Sequence, residues 1–276
     1  MHTPLSETNL LPDGPLQRIG RRVVAFSELN STNSYALAQA TDLPDGAVVL
    51  SEYQSAGRGR LGHTWQSPRG ASILLSVLLK EPAASPLIKR ATMLAALATC
   101  EAVEAAGFCR PLLRWPNDLL LSGRKVAGVL VESSPLPKST GQMPLRAIVL
   151  GIGINCLQQR GHFTGELADS ATSLEIESPS PVDRAAVARC LLETLDRHVT
   201  NLAVEGPNRT DAAGSEGLVA AWKAHCNDLG RRVTLRHDRK TYSGTVLDIT
   251  DDGDLLIELD RGGRHCFAAA TTTRIA

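Results

Sequence analysis

Residues 47–70 read AVVLSEYQSAGRGRLGHTWQSPRG. Within them Gly57-Arg58-Gly59-Arg60-Leu61-Gly62 fits G-x-G-x-x-G, the dinucleotide-binding pattern. A strand-like run from Ala47 to Leu50 precedes it and an acid, Glu81, lies downstream. That pattern works where a helix opens at its last glycines and sets its N-terminus against a pyrophosphate. Here Gly62 is followed by His-Thr-Trp-Gln-Ser-Pro-Arg-Gly, and Pro68 and Gly70 break the stretch before the next strand-like run, SILLSVLL, at residue 72. A parallel crossover needs roughly a dozen residues and is usually helical. The gap is too short and too broken for one, so an NAD-dependent dehydrogenase fold is set aside. Glycine permits close backbone approach, and arginine carries forked, permanently charged donors suited to phosphate and carboxylate oxygens. Arg58 and Arg60, planted between glycines with Gln54 and Trp65 on either side, suit a loop that closes over an anionic ligand. A solvated turn is the competing reading.

Outward from this loop the chain alternates short strands and helices without a strict βαβ rhythm. Val23 to Phe26 reads as a strand. Ser31-Thr32-Asn33-Ser34 offers several N-caps before YALAQA. Ser85-Pro86 opens an Ala- and Leu-rich helix that stops near Gly107. LLL and KVAGVLVES flank Ser122-Gly123-Arg124 as a hairpin. A Pro/Ser/Gly-rich loop covers 134–144, AIVLGIGIN reads as a buried strand, and helices follow from about Ser180 to Val204 and through LVAAWKAHC. From about Leu229 four or five short strands with turns at HDR, DDGD and RGG suggest a small β-barrel. The expected fold is therefore α+β: a mixed β-sheet with packed helices over 21–228, then a small barrel over 229–276. Residues 1–20, broken by Pro4, Pro12, Gly14 and Pro15, read as a flexible leader.

Composition narrows the function classes. The chain has 276 residues, 43% hydrophobic and 4% aromatic, with zero formal net charge. It reads as a soluble globular protein, not as an electrostatic nucleic-acid binder. No secretory signal and no apolar run of membrane-spanning length is visible. Six scattered cysteines without a C-x-x-C fit a reduced, cytoplasmic setting. His225-Cys226 and His265-Cys266 are adjacent pairs that point to opposite faces if extended, so no metal site is expected.

Three further stretches carry candidate chemistry. Trp115-Pro116-Asn117-Asp118 ends a strand; it is either an Asx-turn or a display of Asn117 and Asp118 for catalysis. Lys125 opens KVAGVLVE, where strict alternation puts it on one face with Ala127, Val129 and Val131, and Gly128 on the other. It either snorkels or brings an ammonium to a transferring phosphoryl group. Gly151-Ile152-Gly153-Ile154-Asn155 sets glycines on one strand face, which marks close approach of a ligand or of a packed helix.

Taken in order, STN, EYQSAGRGR with Trp65, RWPNDLLLSGRKVAGVLVE and GIGIN resemble the catalytic domain of biotin protein ligases over roughly residues 25–160. The helices and C-terminal segment agree in length and placement. The resemblance implies a class II tRNA synthetase-like catalytic domain followed by an SH3-like β-barrel. It implies that biotin is activated with ATP to biotinyl-5′-AMP and transferred to a lysine of a biotin carboxyl carrier domain. By the same resemblance, biotin would be held by Ser31, Thr32, Asn33, Gln54, Arg58, Arg60, Lys125 and Gly128. ATP would be held by Arg58, Arg60, Trp65, Asn117, Lys125, Asn155 and Arg274. Lys125, Arg60 and Asp118 would act in catalysis, with Mg²⁺ on the departing pyrophosphate. Some family members carry an N-terminal winged helix. Only about thirty residues precede Ser31 here, too few for an independent domain, so a monofunctional ligase without DNA binding is expected, with a homodimer allowed. Disorder is expected around 57–66 without ligand. A lipoate–protein ligase of the same fold and a non-catalytic biotin or nucleotide sensor are the alternatives.

Overall fold

The computed structural model describes residues 3–12, 14–108, 110–138, 143–204 and 213–275; Cys109 and the middle of the expected 134–144 loop lie outside them. Twelve strands and seven α-helices follow in chain order: α1 (Glu7–Leu10), β1 (Val23–Phe26), α2 (Thr32–Ala38), β2 (Ala47–Ser51), β3 (Ser72–Pro82), α3 (Leu87–Ala105), β4 (Leu112–Arg114), β5 (Asp118–Leu121), β6 (Arg124–Pro135), β7 (Leu145–Asn155), α4 (Leu167–Ser170), α5 (Leu174–Glu177), α6 (Arg184–Val204), α7 (Ala213–His225), β8 (Arg232–His237), β9 (Lys240–Ile249), β10 (Leu255–Leu259), β11 (Arg264–Phe267) and β12 (Thr272–Arg274). Strands β1 to β7 form one mixed sheet in the order β1-β2-β3-β7-β6-β5-β4. Only β1 and β2 run parallel; every other neighbour is antiparallel. The result is α+β, with no crossover helix after the glycine loop.

The two faces of this sheet differ, and the difference makes the site. Ile73, Leu75, Val77 and Leu79 of β3 join Ile148, Leu150, Ile152 and Ile154 of β7 on the face covered by α3 and α6. Fully burying each such side chain stabilises the fold by roughly 1.5–3 kcal/mol. On the opposite face α2 covers only one end, packing Ala36 against Val49, Leu78, Ala147 and Val149. Continuing along that face, apolar residues give way to Ser76, Gly151 and Gly153. This end of the sheet is left without a helix, and it becomes the floor of a cavity.

Residues 3–12 and 14–20 are packed against the main body, where a flexible leader is the expectation. Leu5, Leu10 and Ile19 are buried in the main core. Asp196 of α6 accepts the backbone N–H groups of Gln17, Arg18 and Ile19 at 2.7–2.8 Å. Arg18 pairs with Asp45 at 2.8 Å and Glu81 at 2.6 Å. Pro and Gly here shape a packed strap, because three spaced apolar side chains suffice to anchor an irregular segment.

The C-terminal residues form a five-stranded antiparallel sheet in the order β11-β10-β9-β8-β12. It is fastened to the larger sheet beside the cavity. Trp115 Nε1 donates to Gly253 O at 2.9 Å, and the Trp115 N–H donates to Asp228 at 2.7 Å. Asp228 also pairs with Arg274.

Candidate active site

One cavity of about 460 Å³ opens where the glycine loop, the α2 N-terminus, the β4–β5 turn and β12 meet over the bare end of the large sheet. Its floor is a grid set by strand register. Leu74 of β3 pairs with Gly153 of β7, which pairs with Gly128 of β6; one rung along, Ser76 pairs with Gly151 and Gly151 with Leu130. The glycines are there for close approach. A Cβ on Gly151 would lie 2.1 Å from Asn33 Oδ1, and one on Gly153 would lie 2.6 Å from the Trp65 ring. Gly151 thus lets the first turn of α2 seat Asn33 against the sheet, and Gly153 makes room for the Trp65 ring.

At the α2 end the side chains are neutral and already hydrogen-bonded. Ser31 is the N-cap of α2, accepting from the Ser34 N–H at 3.4 Å. Gln54 Oε1 accepts from the Thr32 N–H at 2.7 Å, which fixes the orientation of its amide. Buried Ser76 Oγ lies 2.6 Å from Asn33 Oδ1 and 2.8 Å from Thr32 Oγ1. Asn33 Oδ1 can only accept, so the single Ser76 proton goes there. The Asn33 amide nitrogen donates to Leu130 O at 3.1 Å and to Glu132 Oε2 at 2.9 Å.

The other end is charged. Asp118 starts β5 directly after the turn that carries a cis Trp115–Pro116 bond, and pairs with Arg114 across the β4–β5 hairpin. Its carboxylate sits 2.5 Å from Lys125 Nζ and 2.8 Å from Arg114 Nη2. Burial alone would raise the Asp118 carboxyl, but the two cations outweigh it and hold it below the usual aspartate range. Lys125 reaches the cavity through a feature that strict alternation hides. Leu119 pairs with Ala127 but Leu120 pairs with Lys125, so Val126 is an extra residue in β6. Such a bulge shifts side chains to the other face. A Cβ on Gly128 would meet Lys125 Nζ at 3.1 Å, so the expectation that these two residues face apart is corrected.

The glycine loop is a small hairpin: Gly59 N–H donates to His63 O at 2.7 Å and Trp65 N–H to Gly57 O at 2.9 Å. Leu61 and Gly62 adopt positive φ of 52° and 85°. Arg60 spans the site, donating to Asn117 Oδ1 at 3.2 Å, to Thr272 O at 3.1 Å and to Ala269 O. Burial pushes its guanidinium pKa down, partly offset by Asp118. Arg58 turns to Glu132 at 2.5 Å. Trp65 lies against the floor glycines, with Lys125 Nζ 5.7 Å from its ring centroid. Its indole N–H is buried and has no acceptor among the described residues.

Ser31, Thr32, Asn33, Gln54, Arg58, Arg60, Trp65, Asn117, Asp118, Lys125, Gly128 and Arg274 all line this one cavity. Asn155 does not. Its side chain is buried at the end of β7, donating to Thr172 O at 3.0 Å and accepting from Gln158 at 3.0 Å. Sequence reasoning missed Arg114, Ser76 and Glu132. Ser76 carries a signal, as the single hydroxyl in the apolar run ILLSVLL. Arg114 could be found only from its pairing across the hairpin, and Glu132 only from the sheet register.

Similarity to known proteins bears on this arrangement. The model of the biotin/lipoate A/B protein ligase family matches residues 25–155, and that of the biotin protein ligase C terminal domain matches residues 228–271. A biotin–[acetyl-CoA-carboxylase] ligase from Paracoccus denitrificans is 32% identical over 89% of this chain and 97% of its own length. The bifunctional ligase/repressor BirA of Bacillus spizizenii is 29% identical over 96% of this chain and 78% of its own length. The structure of biotin protein ligase from Aquifex aeolicus in complex with biotin and ATP has a TM-score of 0.72 at 23% identity, over 92% of this chain and 98% of that one; it speaks for the fold. With both domain models matched and a relative of this identity aligned along nearly its whole length, the chain belongs to the biotin protein ligase family.

Proposed function

We infer that this protein is an ATP-dependent biotin–protein ligase. It joins the biotin carboxylate to the α-phosphorus of ATP, forming biotinyl-5′-AMP and releasing pyrophosphate. It then passes the biotinyl group to the amine of a lysine on a biotin carboxyl carrier domain, releasing AMP. The observation that carries this reading is that one cavity joins a neutral, hydrogen-bonded end to a cationic end, as an apolar acid with a ureido ring and a nucleotide require.

The neutral end, with Ser31, Thr32, Asn33 and Gln54, suits the ureido ring, because a site of paired hydrogen bonds rejects analogues that leave its groups unpaired. At the cationic end Lys125 lies where negative charge grows as the carboxylate attacks phosphorus, and a preoriented ammonium stabilises that charge without reorganising. Arg60 fastens the loop to Asn117 and to the C-terminal sheet, which keeps water from a hydrolysable adenylate. Asp118, held at low basicity, suits orienting Lys125 and the incoming amine better than removing a proton. Trp65 and Arg274 are assigned to the nucleotide. Mg²⁺ fits as a counter-ion of the phosphates. Among the described residues lining the cavity Asp118 is the sole carboxylate, and Mg²⁺ typically keeps waters and substrate phosphates as ligands; Asp118 and Asn117 would be the residues to hold it, and it would neutralise the pyrophosphate.

The carrier is assigned as that of acetyl-CoA carboxylase or a related biotin-dependent carboxylase, and the setting as cytoplasmic. No helix among the described residues is long and apolar enough to cross a membrane. The division into a catalytic domain ending near residue 228 and a C-terminal SH3-like domain is part of the same reading. Zero formal net charge supports an absence of DNA binding, which a gel-shift titration tests, and sedimentation tests pairing of two copies. Pyrophosphate–ATP isotope exchange tests the activity itself. Exchange that depends on biotin is expected. Exchange with lipoate instead would move the chain to the sister activity, and biotin binding without exchange would leave a sensor.

A further inference from the structure

Glu132 stands outside every role assigned so far, yet it touches two of the residues assigned to biotin. It lies on β6 on the same face as Gly128 and Leu130, one step beyond the cavity floor. A single oxygen, Oε2, accepts from Asn33 Nδ2 at 2.9 Å and from Arg58 Nη2 at 2.5 Å. The first contact completes the Asn33 amide. The Asn33 side chain is enclosed, with its oxygen taking Ser76 and its second N–H taking Leu130 O. The second contact occupies the Arg58 guanidinium, whose side chain is 41% exposed at the mouth of the cavity.

These two contacts have different consequences. The Asn33 contact holds a buried amide whose other polar atoms are already paired. The Arg58 contact is a half-exposed ion pair on a glycine-flanked loop, weak enough to exchange partners. An anionic ligand in the cavity competes with Glu132 for the same guanidinium, whereas an uncharged one does not. We propose that Glu132 is a positioning residue that acts as a latch: it parks Arg58 away from the ligand in the free protein and surrenders it to the biotin carboxylate or the adenylate phosphate. The latch would thus set how far bound charge, as distinct from bound shape, closes the loop. The anion's identity rests on the ligase reading above.

The test compares biotin with biotinamide, which has the same ring and chain without the carboxylate, by calorimetric titration of the full chain. Glu132→Gln keeps an acceptor for Asn33 and removes the charge from Arg58. It is expected to tighten biotin by roughly two- to fivefold, the span that an exposed ion pair of this kind carries, and to leave biotinamide unchanged. In an Arg58→Gln background the same substitution is expected to have no effect on either ligand. Equal shifts for both ligands, or a shift that persists without Arg58, would overturn the latch and leave Glu132 as a brace for Asn33. Hydrogen exchange of residues 57–66 in the free protein needs no ligand. It is expected to quicken in both Glu132→Gln and Arg58→Gln, and unchanged exchange in both would also overturn the proposal. Failure of wild type to bind biotin or biotinamide would instead sink the ligase reading, with the exchange measurement still deciding whether the latch exists.

Discussion

At its α2 end the cavity presents Ser31, Thr32 and Asn33, which are neutral and only 3–4% exposed. At the strand end it presents Lys125 and Arg114, both 31% exposed in the side chain, around the half-buried Asp118. The first end is finished before any ligand arrives: its hydrogen bonds run to Ser76, Gln54, the backbone of β6 and the Glu132 carboxylate, and the space it needs is cut by a glycine. The second end is occupied by its own counter-ions, and a nucleotide has to displace them. A neutral network in a dry site loses heavily if one partner is removed, so it suits recognition. Half-exposed ion pairs exchange readily, so they suit a centre where charge moves. The comparison predicts that damage at one end should be felt mainly as lost affinity and at the other mainly as lost rate.

The largest effect is expected at the charged end. Lys125→Met keeps the length of the side chain and removes the ammonium. Biotin-dependent pyrophosphate exchange is expected to fall by roughly a hundred- to a thousandfold, the scale for losing one preorganised stabilising group, with a much smaller change in biotin affinity measured by titration. An equal loss in both would mean that Lys125 holds the ground state alone, and the division between the two ends would collapse.

The neutral end should break in the opposite sense. Gly151→Ala places a methyl 2.1 Å from Asn33 Oδ1, and Asn33 is tied by hydrogen bonds on three sides. Overpacking of this kind typically costs about 1–3 kcal/mol. If Asn33 is pushed off its seat, biotin affinity is expected to fall by roughly tenfold, while exchange at saturating biotin stays near that of wild type. A variant that folds, binds biotin normally and exchanges slowly would show that the glycine serves the nucleotide.

How much of this was readable beforehand follows the same division. The loop residues, STN, WPND, Lys125 and the glycine pair are visible because each breaks a local pattern: charge between glycines, proline at a strand end, glycine in an apolar strand. Their convergence on one cavity is tertiary, and here the family resemblance supplied what periodicity lacks. Local rules failed where one residue changes register. The extra Val126 turns Lys125 onto the face of Gly128, and no alternation pattern announces it. They failed again at residues 3–12 and 14–20, where Pro and Gly suggest looseness but Leu5, Leu10 and Ile19 pack into the core and Asp196, 179 residues from Gln17, accepts the backbone N–H groups of Gln17, Arg18 and Ile19. The partners of Asn155 at the end of β7, Thr172 and Gln158, are likewise tertiary and no local pattern announces them.

The smallest effect concerns Asp118, and it separates orientation from proton transfer. Burial would raise its pKa, but Lys125 and Arg114 hold the folded value below that of an ordinary aspartate. A carboxyl with a depressed folded pKa contributes stability that is fully present above the unfolded value, about 3.9, and lost as pH falls through the lower folded value. Asp118→Asn is therefore expected to lower stability by a constant amount between about pH 5 and 8, with the difference narrowing only below about pH 4. The acid limb of the rate of biotin transfer to the carrier lysine, whatever its midpoint, should keep its position in the variant, since Asp118 stays ionised throughout that range. Loss of a limb near pH 6 in Asp118→Asn would mean that nucleotide binding draws Lys125 away and lifts the carboxyl toward neutrality. Asp118 would then be the base that frees the acceptor amine, and the charged end would rearrange its proton inventory as well as its ion pairs when it fills.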